Sequence, residues 1–344
     1  MSITKIGDPE QNVVLCVPRW CGLNDTLVQI WFAYQFALND ERRLMIDTRV
    51  SGFWDDLDNY LVPTPTTEGG PVPISMRVTD LDINALNRMQ TFPRLYQGRV
   101  DFMQREIYLR AVVADNQLRL QRSIAFVTRA LFTRMPPQFP HGICRRMQFL
   151  LFVGFPKRRK SSHPFSSPRE QELVVHHLSG GGSESLGTLS LFTLTPPLQD
   201  AVLKALDVCG DDFDAIHVRN TDIQSNYEEI FSDARRRLPG RRVLVCSDDS
   251  AVIAAAHKQL SESHVFTVTN TEATSGSPLH KLGSGRSPEQ RRLLNFNMIV
   301  DLLCLAKSRE LLIATPKSGP LSGYSALAQA LHGRSDVVNQ LLGK

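Results

Sequence analysis

The six cysteines, Cys16, Cys21, Cys144, Cys209, Cys246 and Cys304, never fall at the CxxC spacing of a zinc site. Several sit inside apolar runs, where free cysteine behaves as a small hydrophobe. The pattern argues for reduced thiols and a cytosolic chain rather than a disulfide framework. No stretch of about 18 consecutive apolar residues is present, which excludes a membrane-spanning helix. Residues 1–10 are polar and lack the apolar run of a signal peptide. The net charge is only +4 over 344 residues, too mild to argue for nucleic acid. The first strand-to-helix turn, Arg19 to Asp25, lacks G-x-G-x-x-G, which excludes the dinucleotide fingerprint and a nicotinamide cofactor. Gly180-Gly181-Gly182-Ser183 is not followed by Lys-Ser/Thr, so it reads as a flexible connector rather than a phosphate loop.

What the chain does have is an ordinary globular composition, 42% hydrophobic and 22% charged, enough for a sizeable core. Its length predicts two domains at about 150 residues each. Val13 to Val17 reads as a strand buried on both faces. A helix follows with Leu27, Ile30, Trp31, Tyr34 and Leu38 at helical spacing, capped by Asn24 or Asp25. Leu44 to Ile46 is the second strand, completing a βαβ unit that ends in Asp47. That acid either faces a ligand or pairs with Arg43 or Arg49. Pro63 to Pro73 is a loop, and helical and strand-like fragments alternate up to the apolar patch Phe149 to Val153. Lys157-Arg158-Arg159-Lys160 reads as an exposed basic loop, a solvated face or a point of peripheral attachment to anionic lipid or saccharide.

After Pro196-Pro197 the alternation is regular. Helices are expected at 198–206, 227–237, 251–260, 289–307 and 325–331, and strands at 215–218, 243–246, 265–268 and 311–314. Strands alternating with helices predict an α/β chain with parallel, doubly wound sheets, two Rossmann-like halves facing a cleft. The expected domains are residues 1–190 and 191–344.

Ligands of open α/β sheets bind beyond the carboxyl ends of the strands, and parallel strands bring those ends to one edge. In the second half that edge gathers His217 to Asp222, Ser247-Asp248-Asp249, and Thr315 to Ser325. Arg219 suits a diphosphate, because a guanidinium donates bidentately and stays charged. The plainer reading pairs Arg219 with Asp222 and leaves His217 in the core. Asp248 and Asp249 either touch a nucleoside, cap the next helix or hold a metal. Asp301 interrupts an apolar helix and shares a stripe with Asn297 and Ser308, facing a ligand cavity or water. Ser318 to Ser325 leads into a helix whose free N–H groups make an anion site, or a plain capped start.

These residues resemble a known family. Gly22-Leu23-Asn24-Asp25, Trp31-x-x-Tyr34-x-x-Ala37 and Arg43 to Asp47 are similar to the opening of the rhizobial-type nodulation fucosyltransferases. His217-Val218-Arg219-Asn220-Thr221-Asp222 resembles the H-x-R-R-T-D stretch of those enzymes and of the core α-1,6-fucosyltransferases. Ser247-Asp248-Asp249 resembles their T-D-D strand end, and Ile299 to Ala306 with Ser322 to Ser325 their last motif. The resemblance implies a GT-B fold, with residues 1–190 on the acceptor side and 191–344 holding a nucleotide sugar, GDP-fucose, without a metal or other cofactor. It implies an inverting glycosyltransferase acting on a glycan acceptor, the alternative being an inactive GT-B domain that binds nucleotide or glycan as a scaffold. A nucleotide-using transferase of another kind, such as a sulfotransferase, lacks support because no phosphate-binding loop is present. Arg219, Asp222 and His217 form the expected catalytic set. Asn220, Asp248, Asp249, Asp301, Ser322, Tyr324, Ser325, Gly22 and Asn24 form the expected donor-contact set. Asn220 stands in place of the family's second arginine, leaving Lys281, Arg292 or Lys317 to supply the missing charge. Asp47, Asp25, Asp222 and His280 are the candidate general bases.

Overall fold

The computed structural model describes residues 12–18, 22–49, 51–64, 72–98, 100, 169–176, 183–270 and 286–344. They belong to one compact unit, Met1–Gln104 with Arg169–Lys344. The Arg19 to Cys21 turn, Cys144, Phe149 to Val153, the basic loop at 157–160, Gly180 to Gly182, His280 and Lys281 lie outside the described residues.

The first sheet is parallel. Strands β1 (Val13–Cys16), β2 (Arg43–Ile46), β4 (Ile74–Ser75), β5 (Thr91–Phe92) and β6 (Leu173–His176) lie in the order β4-β2-β1-β6-β5. Every residue of β1 is buried, as an unalternating apolar run on a doubly covered strand requires. Helix α1 (Leu23–Asn39) joins β1 to β2 and buries Leu27, Ile30, Ala33 and Ala37. Its N-cap is Gly22, not Asn24 or Asp25 as the sequence led us to expect, and no side chain caps it. Asn24 and Asp25 fall inside the first turn because the helix starts two residues earlier than a cap at Asn24 would place it. Helix α2 (Asp80–Leu86) opens on a capping box between Thr79 and Asp82.

The second sheet is parallel too, with β8 (Asp214–Val218), β9 (Arg242–Ser247), β10 (His264–Phe266) and β11 (Leu311–Ile313) in the order β10-β9-β8-β11. Its helices are α5 (Tyr227–Arg237), α6 (Ser250–Gln259) and α7 (Pro288–Lys307). Phe231 and Ala234 of α5 pack with Val252 and Ala256 of α6 on Ile216, Val218, Val243 and Val245. The order places strand neighbours of β8 on opposite routes of the chain, so the switch point lies between β8 and β11. That is where an open α/β sheet forms its ligand crevice.

A short antiparallel pair, β3 (Leu61–Pro63) with β7 (Phe192–Leu194), departs from the all-parallel expectation. Before β7 lies α3 (Ser185–Leu189), whose Gly187 sits under Trp31 of α1; a Cβ there would lie 2.7 Å from the indole. After β7 comes α4 (Pro196–Cys209), started by two prolines that need no amide partner. The last helices, α8 (Gly323–His332) and α9 (Ser335–Leu341), return to the first sheet's side: α8 packs on α1 and α9 on β7. Among the described residues, no helix is long and apolar enough to cross a membrane.

Candidate functional site

A cavity of about 420 Å³ lies at the β8–β11 switch point, within the range of small-ligand sites. The carboxyl ends of β8 and β9, the inner stripe of α7 and the N-termini of α1 and α8 wall it. Of the expected site residues it is lined by His217, Arg219, Asp222, Asp248, Asp301, Ser322, Tyr324, Gly22 and Asn24. Asn220, Asp249 and Ser325 stand behind the wall.

Register explains the central cluster. Val218 pairs with Ser247 across β8 and β9, so Arg219 and Asp248 emerge side by side. Arg219 Nη1 meets Asp248 at 2.7 Å, while Nε and Nη2 donate to Asp222 Oδ1 at 3.1 and 2.8 Å. The plain pairing of Arg219 with Asp222 is thus present, but both side chains face the cavity. Asp248 is fixed by the Asn220 amide at 2.8 Å and by the Thr221 hydroxyl. The two carboxylates differ in exposure, 24% for Asp222 against 7% for Asp248, so Asp222 is the one with room to let go.

Asn220 has a structural task. Its Nδ2 donates to Asp249 at 2.8 Å and its Oδ1 accepts from the Ser225 amide at 3.3 Å. Asp249 in turn caps α6, accepting from Ala251 N at 2.9 Å. Asp249 therefore acts through Asn220 and the helix rather than on the cavity.

His217 is buried beneath Tyr324, ring centroids 5.1 Å apart, with Nδ1 3.1 Å from Ser325 Oγ. Burial, reinforced by the Arg219 charge, lowers its pKa to about 3, so the imidazole is neutral at pH 7. Ser322 caps α8, its Oγ accepting from the Ser325 amide at 3.1 Å and lying 2.6 Å from Ser325 Oγ. Ser325 is consequently an interior link between the cap and His217. The Tyr324 hydroxyl donates to the Met298 carbonyl at 2.9 Å, and burial raises its pKa.

Asp301 faces the cavity rather than bulk water. Thr269 Oγ1 donates to both of its oxygens at 2.9 Å. Burial raises its pKa to about 7 against the opposing hydrogen bonds from Thr269 and Cys246. Asn297 shares the cavity stripe, but Ser308 does not: it caps α7 and bonds Leu305 O at 2.8 Å.

Across the cavity, α1 and α8 meet end to end. A Cβ on Gly323 would lie 3.2 Å from Asn24 Cβ, so a glycine permits the approach. Two helix N-termini, each with a positive dipole end, thus border the space beside Arg219. Asp25 also lines the cavity, its pKa raised by burial. Asp47 does not; it is buried in a bidentate pair with Arg49, both bonds 3.0 Å. Arg292 sits 3.7 Å from Asp55 and Lys317 is exposed, so neither joins the wall. Among the described residues no group of three or more His, Cys, Asp or Glu converges to hold a metal ion.

Several wall residues were not foreseen: Gly52, Phe53, Ile223, Thr269, Asn270, Leu294 and Met298. Thr269 and Asn270 follow β10, a strand end to which the same carboxyl-edge rule applied. Phe53 belongs to a loop with no periodicity to mark it.

No protein-family model matches the sequence, and no curated protein matches it. Solved structures do match. A NodZ alpha-1,6-fucosyltransferase soaked with GDP-fucose superposes at a TM-score of 0.53 and 14% identity, over 93% of this chain and 92% of that one. Fucosyltransferase NodZ from Bradyrhizobium gives 0.51 and 15%, over 93% and 92%. A NodZ alpha-1,6-fucosyltransferase co-crystallized with GDP gives 0.50 and 15%, over 93% and 92%. The two Rossmann-like sheets, their switch-point cavity and these full-length superpositions establish that the chain has the GT-B fold of those fucosyltransferases.

Proposed function

We propose that the chain is a glycosyltransferase that draws its sugar from a nucleoside diphosphate sugar, GDP-fucose by preference, and passes it to a glycan hydroxyl with inversion and without a metal. The observation that carries this reading is Arg219: a guanidinium in the switch-point cavity, beside the α8 N-terminus, in a chain whose fold matches enzymes solved with GDP and GDP-fucose. In the transfer, the acceptor oxygen attacks C1 of the sugar, the C1–O bond to the β-phosphate breaks, and the nucleoside diphosphate departs. The growing negative charge is met by Arg219 and the α1 and α8 amides, donors already in place before reaction. Asp222 occupies the guanidinium's more open edge, where the diphosphate displaces it, while Asp248 keeps the fork aimed. His217, held neutral, orients through Ser325 rather than accepting a proton. Asp25 is the base for the acceptor hydroxyl, since burial raises its affinity for a proton and Asp47 is committed to Arg49.

One observation favours a second reading, a nucleotide- or glycan-binding scaffold: Asn220, in place of the family's second arginine, is committed to Asp249 and offers the phosphates no charge. Thermal unfolding with GDP, UDP, TDP and CMP separates the transferase from a scaffold that binds glycan alone, and turnover of GDP-fucose separates it from one that binds nucleotide. GDP at 100 times its dissociation constant is expected to add about 2.7 kcal/mol of stability, the other nucleotides less. No shift with any nucleotide would remove the transferase reading.

A further inference from the structure

Trp54 has φ +52°, a left-handed backbone that a bulky residue rarely adopts and that persists only where its surroundings hold it. Helix α7 grips it on both sides. Asn295 Nδ2 donates to the carbonyl before it, that of Phe53, at 2.8 Å, and Arg291 donates to the carbonyl of Trp54 itself at 2.9 Å. Arg291 and Asn295 are four residues apart, so they share one face of the helix. The same Asn295 nitrogen donates to the Tyr60 hydroxyl at 2.8 Å, and that hydroxyl donates to Asp55 at 2.7 Å. Tyr60 is fully buried, its ring 5.5 Å from Phe53 and 5.9 Å from Phe296 of α7. Thr48 and Ser51 shape the turn from within: Thr48 Oγ1 donates to Asp55 O at 2.6 Å, and Ser51 Oγ accepts from the Phe53 amide at 3.2 Å. Asn295 and Arg291 set its place against α7.

Gly52 and Phe53 of this segment line the cavity, as do Leu294, Met298 and Asp301 of α7. One helix thus builds one wall and fixes the position of another. Asn295 is buried and is not itself a lining residue, so it reaches a ligand only through what it holds. We propose that Asn295 is a positioning residue: by holding the Phe53 carbonyl it keeps the Gly52–Phe53 wall against the bound donor and water away from the sugar. The inference rests on the glycosyltransferase reading above. Water that reaches the donor bonds through its oxygen to C1, the C1–O bond to the β-phosphate breaks, a proton passes to solvent, and the nucleoside diphosphate departs with the sugar wasted. Phe53, Leu23 and Leu294 offer such water no hydrogen-bond partner, and a space walled by them stays dry while the wall is in place.

The test measures hydrolysis of GDP-fucose to GDP and free fucose without any acceptor, beside calorimetric titration of GDP. Asn295→Ala is expected to speed hydrolysis about threefold or more, a modest part of the roughly 10²-fold that an ångström of misplacement is worth, with GDP affinity within about twofold of the wild type. Tyr60→Phe removes a bond of the same network but leaves Asn295 on the Phe53 carbonyl, and it should hydrolyse the donor as the wild type does. Arg291→Met, which frees the Trp54 carbonyl, makes the same test should Asn295→Ala fail to fold. Damage to the structure alone would slow hydrolysis, so a gain in rate is what a merely structural residue would not produce. Hydrolysis unchanged or slower in Asn295→Ala, or raised equally by Tyr60→Phe, overturns the positioning role, while GDP binding by the wild type leaves the transferase reading standing. A wild type that binds no GDP removes that reading, and the positioning role with it.

Discussion

Replacing Arg219 by alanine is expected to lower the rate of GDP release from GDP-fucose by about a thousandfold or more, measured over a panel of acceptors with a chelator present. Removing one preorganised donor from a developing oxyanion costs about 10²–10³ in rate, and arginines that meet transferring phosphates reach 10³–10⁵. Arg219 has a strong claim on that range, because its whole fork stands at the switch point and Arg292 and Lys317 are elsewhere. The fold should survive. Asp248 keeps the Asn220 amide and the Thr221 hydroxyl, and Asp222 is partly solvated, so the stranded carboxylates cost about 1–3 kcal/mol. Circular dichroism and the urea midpoint report that cost separately from the rate. Arg219→Lys restores a charge without the fork and should recover only part of the activity. A variant with near wild-type turnover would show that the diphosphate is handled by other groups.

The second large effect concerns Asp301. Its carboxyl titrates near 3.8 when unfolded and, through burial, at about 7 when folded. Below the lower value both states hold the proton and nothing is lost. Between about pH 4 and 7 the unfolded chain releases it while the folded chain retains it, so this group's contribution to stability falls as pH rises. Asp301→Asn does not titrate, and its amide oxygen still accepts from Thr269. Relative to the wild type, the variant should therefore gain stability steadily from pH 4 to pH 7, by up to about 4 kcal/mol at 1.36 kcal/mol per pKa unit. Urea unfolding of both proteins at pH 4, 5.5 and 7 reads the difference directly. A stability difference flat across that range would mean that Asp301 is ionised and solvated, and that the polar end of the cavity is wetter than its burial implies.

Much of the second half was legible because its elements are long and strongly patterned. Tyr227–Arg237 carries polar and apolar residues at helical spacing, and its boundaries agree with the structure residue for residue. Glu289 to Lys307 is recognisable as a long apolar stretch and Ala215 to Val218 as a short unalternating one, and they correspond to Pro288–Lys307 and the buried strand Asp214–Val218. The carboxyl-edge rule places Arg219, Asp248 and Ser322 at one edge of the sheet, and all three line the cavity. What stayed illegible was decided by tertiary contacts. Leu61–Pro63 and Phe192–Leu194 are three residues each, too short for a period, and pair across more than a hundred residues of chain. Ser335–Leu341 is a two-turn helix held by burial of Val337, Val338 and Leu341. Phe53 reaches the cavity because Asn295, a buried amide on a distant helix, holds its carbonyl. Nor does sequence distinguish Asp249, a helix cap, from Asp248, a cavity wall, since only the register of β8 against β9 aims the second at Arg219.

The claim beneath all of this is that Arg219 binds a nucleotide through its diphosphate, and calorimetric titration of GDP and GMP tests it most directly. GDP is expected to bind the wild type at least about tenfold more tightly than GMP, a charge-assisted bidentate contact contributing about 1.5–3 kcal/mol. In Arg219→Ala that preference should vanish, with GMP affinity little changed. Equal affinities in the wild type, or a GDP preference that persists without the guanidinium, would contradict the account.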